Sequence, residues 1–466
     1  MPYKSLKKRM RTILRKLVTL NGGKLRIPEA RQEYINISSY VPTPAQEQIL
    51  KMGLNCHFIT RPRPTDKRLE MELLIDSILN LQERGALRTT NALQPLLLAK
   101  ALTDRGRYSS SIVSKEMRAA AKELKRVAGV TVCWADKTAG LVLINTQEYH
   151  EKLDAILADL TKFERLTSNP VEDIKREVNC TIEAINAASN AVHLPMISGD
   201  FGLGYLYGNV KTHKQGNPLR PIISQCPTPI YQLAKRLNAI LTPYVPNRYC
   251  VASSAEFLGR IKDVHGEGVI ASMNVESLFT NVPVDETIDL IADRVYRDET
   301  TPELNIPEQA LRTLLAICTK RAPFTTHRGH MYLQKDGMAM GSPLGVLFAN
   351  FYVGVVEERV FSQVECPLAY FRYIDDTFVK AISTKAIENL RTFEDNSVFH
   401  FTLENSVNNS LPFLDILISS TNEEFQTTVY TKPTFLGMCL NGESECPARY
   451  KASTIKAFVC RALSHC

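Results

Sequence analysis

Tyr370-Phe371-Arg372-Tyr373-Ile374-Asp375-Asp376-Thr377-Phe378-Val379 sets two adjacent carboxylates between two apolar runs rich in aromatic and β-branched residues. That pattern predicts a β-hairpin whose tight turn is formed by the aspartates themselves, with both charges at an exposed tip. No basic residue follows Arg372 until Lys380. Two acids on a rigid turn without a nearby basic partner suit divalent cations. Asp is also common in plain surface turns, so the neighbouring motifs decide the reading.

The chain has 466 residues, enough for two to four domains, and its 44% hydrophobic and 23% charged content is that of a soluble globular protein. Its net charge of +7, from 56 basic and 49 acidic residues, is compatible with a nucleic-acid partner. The eleven cysteines include no C-x-x-C pair and no close Cys/His cluster. Neither a zinc site nor a disulfide framework is expected, and the thiols should be reduced inside a cell. No apolar run has transmembrane length and no signal-peptide core follows the N-terminus, so no membrane role is expected.

Along the chain, Met1 to Leu20 carries seven basic residues, no acid, and leucines, Met10 and Ile13 at helical spacing. This basic amphipathic helix could touch nucleic acid, direct nuclear import or organelle targeting, or simply be a solvated helix. Residues 21–67 read as irregular, with Arg61-Pro62-Arg63-Pro64 as a breaker before a helix opening at Thr65-Asp66. Helical patterns then run to about Val127. From Gly129, Val130–Cys133 and Leu141–Ile144 flank Ala135-Asp136-Lys137-Thr138-Ala139-Gly140 as a charged-tip hairpin. A helix follows, capped by Thr146, with Tyr149, Leu153, Ile156, Leu157 and Leu160 on one face. Val210-Lys211-Thr212-His213-Lys214-Gln215-Gly216-Asn217-Pro218-Leu219-Arg220-Pro221 reads as a basic hairpin suited to a polyphosphate, Lys as point charge and Arg as a fork.

Gly268 to Met273 reads as a buried strand ending at Asn274, followed by Ser277-Leu278-Phe279-Thr280-Asn281-Val282-Pro283 and an amphipathic helix from Val284. Asp336-Gly337-Met338-Ala339-Met340-Gly341-Ser342-Pro343 leads into a helix with Leu344, Leu347, Phe348, Phe351, Tyr352 and Val355 as its stripe, Ser342 as N-cap and Pro343 in its first turn. After the aspartate hairpin come a helix near 384–393 and strands at 399–404, 411–418 and 427–433. The last thirty or so residues are helical in pattern.

This ordered set resembles the reverse transcriptase of Penelope-like retroelements over about Gly129 to Pro447: the basic hairpin ending in Arg220-Pro221-Ile222-Ile223-Ser224, the 277–283 stretch, Ala339-Met340-Gly341-Ser342-Pro343-Leu344-Gly345 with Ala349-Asn350, Tyr373-Ile374-Asp375-Asp376, and Leu411-Pro412-Phe413-Leu414-Asp415. Ala135 to Thr138 and Val429 to Thr434 fit the same family.

The resemblance implies an α+β right-hand polymerase with an N-terminal helical extension (1–128), fingers and palm including the primer grip (129–437), and the start of a thumb (438–466). Family members commonly continue through a full thumb and often into a GIY-YIG endonuclease. The implied activity is RNA-directed DNA synthesis with Mg²⁺ (or Mn²⁺), an RNA template, a DNA primer and deoxynucleoside triphosphates, in the nucleus.

Asp375 and Asp376 are then the metal ligands, and Lys211 and Arg220, with Lys137 as a further candidate, grip the triphosphate. Phe279 excludes a ribose 2′-hydroxyl, which argues against an RNA-directed RNA polymerase. Met340, where many reverse transcriptases have Gln, and Gly341 line the nucleotide site. Leu411, Pro412, Phe413, Leu414 and Asp415 form the primer grip. Two positions depart from the pattern. Trp134 stands where an Arg is expected, and Asn274 replaces the aspartate that bridges both metals. Asn is neutral and offers one carbonyl oxygen, so it holds Mg²⁺ far more weakly. Glu276, two residues on, is the nearest substitute carboxylate in the sequence. An inactive polymerase fold that still binds RNA or an RNA–DNA hybrid is therefore the alternative.

Overall fold

The computed structural model describes residues 34–53, 71–72, 74–76, 79, 114–137, 140–188, 194–421, 424–432, 439–440, 444 and 446–465. The basic helix expected at 1–20 and most of the helical pattern at 65–113 lie outside the described residues. β1 (Tyr34–Asn36), β2 (Val130–Trp134) and β3 (Leu141–Asn145) form a sheet in the order β1-β3-β2, with β2 and β3 as the expected antiparallel hairpin. β1 runs parallel to β3, Tyr34 facing Leu141, and Tyr34, Leu50, Leu124 and Leu143 share a small core. Residues 21–67 therefore contain order that their composition hid: β1, and a helix at Pro44–Met52 closed by a capping box between Thr43 and Gln46.

A five-stranded sheet follows, in the order β4 (Phe163–Leu166), β9 (Met331–Gln334), β8 (Pro323–Thr325), β5 (Gly204–Val210), β6 (Leu219–Ser224). Alternation along β5 buries Leu206, Gly208 and Val210 under the helix Thr146–Leu157. Tyr149 fixes that contact, its hydroxyl accepting from Gly208 N at 2.7 Å and donating to Gly208 O at 3.2 Å. Thr146 is the first helical residue rather than the cap, which Asn145 occupies without a side-chain bond. Leu160 lies past the helix end and is 73% exposed.

The central sheet is antiparallel throughout, in the order β10 (Ala369–Tyr373), β11 (Asp376–Ala381), β7 (Val269–Val275), β12 (Phe401–Asn405). One face packs on the helices Ile230–Leu241, Val284–Tyr296, Glu308–Lys320 and Gly345–Val360. The other carries Phe371 and Phe378 against Phe257 and Phe413. The helix Gly345–Val360 is buried on most sides, as its near-continuous apolar run requires, and it starts two residues later than Ser342-Pro343 suggested. A last antiparallel sheet, β13 (Ser410–Phe413), β14 (Ile416–Thr421) and β15 (Glu424–Val429), precedes a helix at Ala448–His465. The stretch 411–418, expected as one strand, is a hairpin turning at Leu414-Asp415, with Leu414 at φ 57°.

The aspartate hairpin also differs from its expected form. Tyr373 pairs with Asp376, so the two-residue turn is Ile374-Asp375 and Asp376 opens β11. Short hairpin turns that match strand twist need a positive φ, and Ile374 supplies it at 57°. A β-branched residue there carries strain of about 1–3 kcal/mol. Arg372, with no exposure to water, meets Glu357 on the central helix, Gly345–Val360, through Nε–Oε1 at 2.6 Å and Nη2–Oε2 at 3.1 Å. Burial works against the guanidinium charge, but Glu357 outweighs it and Arg372 stays protonated. Removing one partner of such a pair strands the other, so Glu357→Ala should lower unfolding free energy by about 3–5 kcal/mol in urea titrations. The paired change Glu357→Leu with Arg372→Met should cost less than Glu357→Ala alone, because no bare charge remains.

Candidate active site

The register of β11 on β7 places Asp376 directly opposite Asn274, and β12 sets Thr402 opposite Asn274 on its other side. Asp375, in the turn, is tied to the same point: Val275 N donates to Asp375 O at 3.0 Å. The two carboxylates expected to work together are thus brought to the end of β7, half-buried rather than at an exposed tip. Burial first, and the charge of Asp375 second, push the Asp376 carboxyl above its usual range; Lys432 and Lys137 pull the other way. Asn274 Oδ1 is buried and has no hydrogen-bond partner among the described residues. Glu276 lies beyond the end of β7, its backbone N–H bonded to His400 O at 2.9 Å and its side chain exposed. Among the described residues no group of three or more His, Cys, Asp or Glu side chains comes together as a metal site, so Glu276 does not complete the set.

The β5–β6 hairpin brings several cations together. A parallel bridge from Ala135 to Val210, with Asp136 N donating to Val210 O at 2.7 Å, brings the tip of the β2–β3 hairpin beside Lys211. Asp136 is 5% exposed and its Oδ1 lies 3.2 Å from Arg220 Nε, so the guanidinium of Arg220 is shared with a protein carboxylate, a partner the sequence reading did not foresee. Burial, then the charges of Arg220 and Lys214, hold the Lys211 ammonium below its usual range, with Lys137 contributing. One buried acid among Lys137, Lys211, Lys214 and Arg220 leaves a net positive site. Such a site attracts phosphate.

Phe279, Met340 and Gly341 come together as expected, lining an open cavity of about 540 Å³ with Ser342, Pro343 and Lys235. The loop 336–343 is wedged: Met338 N donates to Phe279 O at 2.6 Å, Gly337 takes φ +73° against Thr280, and a Cβ on Gly341 would collide with the Ile223 carbonyl at the end of β6. Gly341 therefore links the cavity to the strand that carries Arg220. Lys235, on the helix Ile230–Leu241, was missed by the sequence reading, because a single Lys on an amphipathic helix carries no positional signal.

The 411–415 stretch is committed largely to the protein. Leu411 and Phe413 are buried in the core with Phe257 and Phe378. Pro412 and Leu414 are half-buried. The Asp415 carboxylate accepts from the Ser254 hydroxyl and sits 2.7 Å from Arg461 Nε and 3.1 Å from His465 Nε2 on the last helix. Burial pushes its carboxyl up, but Ser254, His465 and Arg461 together hold it below the usual range. Trp134 is 52% exposed at the end of β2.

A folded-state carboxyl held above its unfolded value costs stability once the pH rises through that higher value, and costs nothing below the unfolded one. Asp376→Asn should therefore raise the melting temperature at pH 7, with the gain vanishing as the pH falls below the ordinary carboxylate range.

No protein-family model matches the chain, and no curated protein matches it by sequence. Among solved structures, it is similar to telomerase from Candida albicans in complex with the TWJ fragment of telomeric RNA, with a TM-score of 0.51 at 11% identity, covering 96% of this chain and 82% of that one. Apo telomerase from Candida tropicalis, truncated from its C-terminal domain, aligns with a TM-score of 0.45 at 11% identity, over 82% of this chain and 76% of the other. The likeness to the Candida albicans structure is one of fold, and with the sheets described above it shows that this chain has a mixed α+β right-hand polymerase fold.

Proposed function

We propose that this chain is the reverse transcriptase of a Penelope-like retroelement, an RNA-directed DNA polymerase whose metal site is weakened by Asn274. The observation that carries the reading is the pairing of Asp376 with Asn274 beside Asp375, at the end of the central sheet of a right-hand fold. The donors suit a hard divalent cation such as Mg²⁺ or Mn²⁺: two carboxylates, and an unpartnered buried oxygen on Asn274 where a third carboxylate is wanted. When bound, such ions supply Lewis acidity to a primer 3′-hydroxyl and neutralise triphosphate charge.

The chain's own residues do the rest. Lys211, Lys137 and Arg220 attract and orient the triphosphate. Phe279 crowds the sugar and favours deoxynucleotides, and Met340 and Gly341 form the floor against which the base pair stacks. Pro412 and Leu414 are the primer-grip positions left half-exposed to touch the primer.

A second reading is favoured by Asn274 itself: a polymerase fold that has lost catalysis and retains RNA binding. Losing one bridging carboxylate at a cost of about 4 kcal/mol in the transition state slows the reaction roughly a thousandfold. Mg²⁺-dependent primer extension on an RNA template should therefore rise by about that factor in Asn274→Asp, and be abolished in Asp375→Ala. Equal rates for the unaltered chain and Asn274→Asp would contradict the role given to Asn274. No extension by either, with RNA binding that weakens steeply as salt rises, would establish the second reading. In the Asn274→Asp background, Phe279→Ala should admit ribonucleotides that the parent rejects, read by direct competition between the two nucleotide types.

A further inference from the structure

We propose that Arg372 is a positioning residue: it clamps the Ile374-Asp375 turn to the central helix, and so fixes the carboxylates relative to the cavity at that helix's start. The inference rests on the functional reading above for its purpose, but its geometry stands independently. A guanidinium has five N–H donors in a rigid fork, and Arg372 directs them at Glu357 twice, at Asn350 Oδ1 (2.7 Å), at Ile374 O (3.1 Å) and at Cys250 Sγ (3.0 Å). Asn350 and Glu357 are seven residues apart on the helix Gly345–Val360, two turns along one face. The backbone of Arg372 is pinned as well, its N–H to Tyr249 O at 2.8 Å and its carbonyl accepting from Val251 N at 2.9 Å.

Among the described residues, the bond from this network to the turn is the one to the Ile374 carbonyl, and Ile374 is the turn residue held at positive φ. A strained conformation persists only where its surroundings over-determine it. Here the surroundings are the Arg372 bond, the bond from Val275 N to the next carbonyl, that of Asp375, and the packing of Ile374 against the main core. The same helix begins at Gly345, whose first residues line the cavity beside Phe279. One rigid element therefore spans both parts of the site, with Arg372 as the link. The β-hairpin alone would leave the turn free to relax, since a two-residue loop has other conformations open to an isoleucine.

Amide hydrogen exchange on the full chain tests this without metal or nucleotide, so it reads the clamp even if polymerase activity is absent. Arg372→Lys keeps a positive charge for Glu357 but cannot reach every acceptor at once. Exchange at Val275 N, which is bonded to Asp375 O, should speed up about tenfold or more, while amides of β5 and β6 stay within about twofold. Should Arg372→Lys fail to fold, Asn350→Ala leaves the Arg372–Glu357 pair intact and should give a smaller local rise of about threefold. As a second readout, Mn²⁺ titrated by electron paramagnetic resonance should bind about tenfold more weakly to Arg372→Lys than to the parent, and no more weakly to Ile182→Val, a remote core variant. An unchanged Val275 amide in folded variants would overturn the proposal. So would a uniform rise across β10, β11 and the central helix, which is the signature of a merely structural ion pair.

Discussion

The antiparallel register between β7 and β11 is the constraint on which the site depends, because it sets Asp376 across from position 274 and draws Asp375 to the backbone of Val275. Side chains alternate along a strand, so a slip of one residue would turn position 274 to the opposite face. The slip is prevented from both sides. Met273, Val275 and Val379 are bound into the helical core, while Ile270 and Phe378 are bound into the aromatic core beneath. The chemistry at the strand end is thus fixed by apolar burial several residues away. Asn274 lies at that strand end, its side-chain oxygen buried and without a hydrogen-bond partner among the described residues.

The turn that carries Asp375 and leads into Asp376 is not a relaxed one. Ile374 stores strain, and a buried guanidinium fully occupied by protein acceptors holds the neighbouring carbonyl. Placing a charge pair in the core gives little net stability compared with apolar packing, which is a reason to look for its value in geometry. The 411–418 hairpin repeats the arrangement, a branched aliphatic at positive φ followed by Asp, with Asp415 anchored to Arg461 and His465. In both hairpins a turn is tied to a helix outside the hairpin.

Much of this was legible in the sequence. Period-2 and helical patterns mark the β2–β3 and β5–β6 hairpins, β7 and the helix Val284–Tyr296, and the ordered motifs single out Asp375, Asp376 and Asn274, which the β7–β11 register sets beside one another. What was hidden depends on partners distant in sequence. The turn at Ile374 could not be separated from one at Asp375-Asp376, because a strand pattern fixes alternation but not where pairing stops. β1 was invisible since three residues carry no period, and it exists only because β3 offers an edge. Asp136 beside Arg220, and Asp415 beside Arg461, are pairings between elements that no spacing rule connects.

The most direct test of the central claim is the anomalous scattering of Mn²⁺ in crystals of the chain and of its Asn274→Asp form. A metal site at this strand end requires a peak within coordination distance of both Asp375 and Asp376, faint in the unaltered chain and strong once a carboxylate is restored at position 274. Absence of any peak there in the restored form, or a peak held by other residues, would contradict the assignment of this strand end as a polymerase metal site.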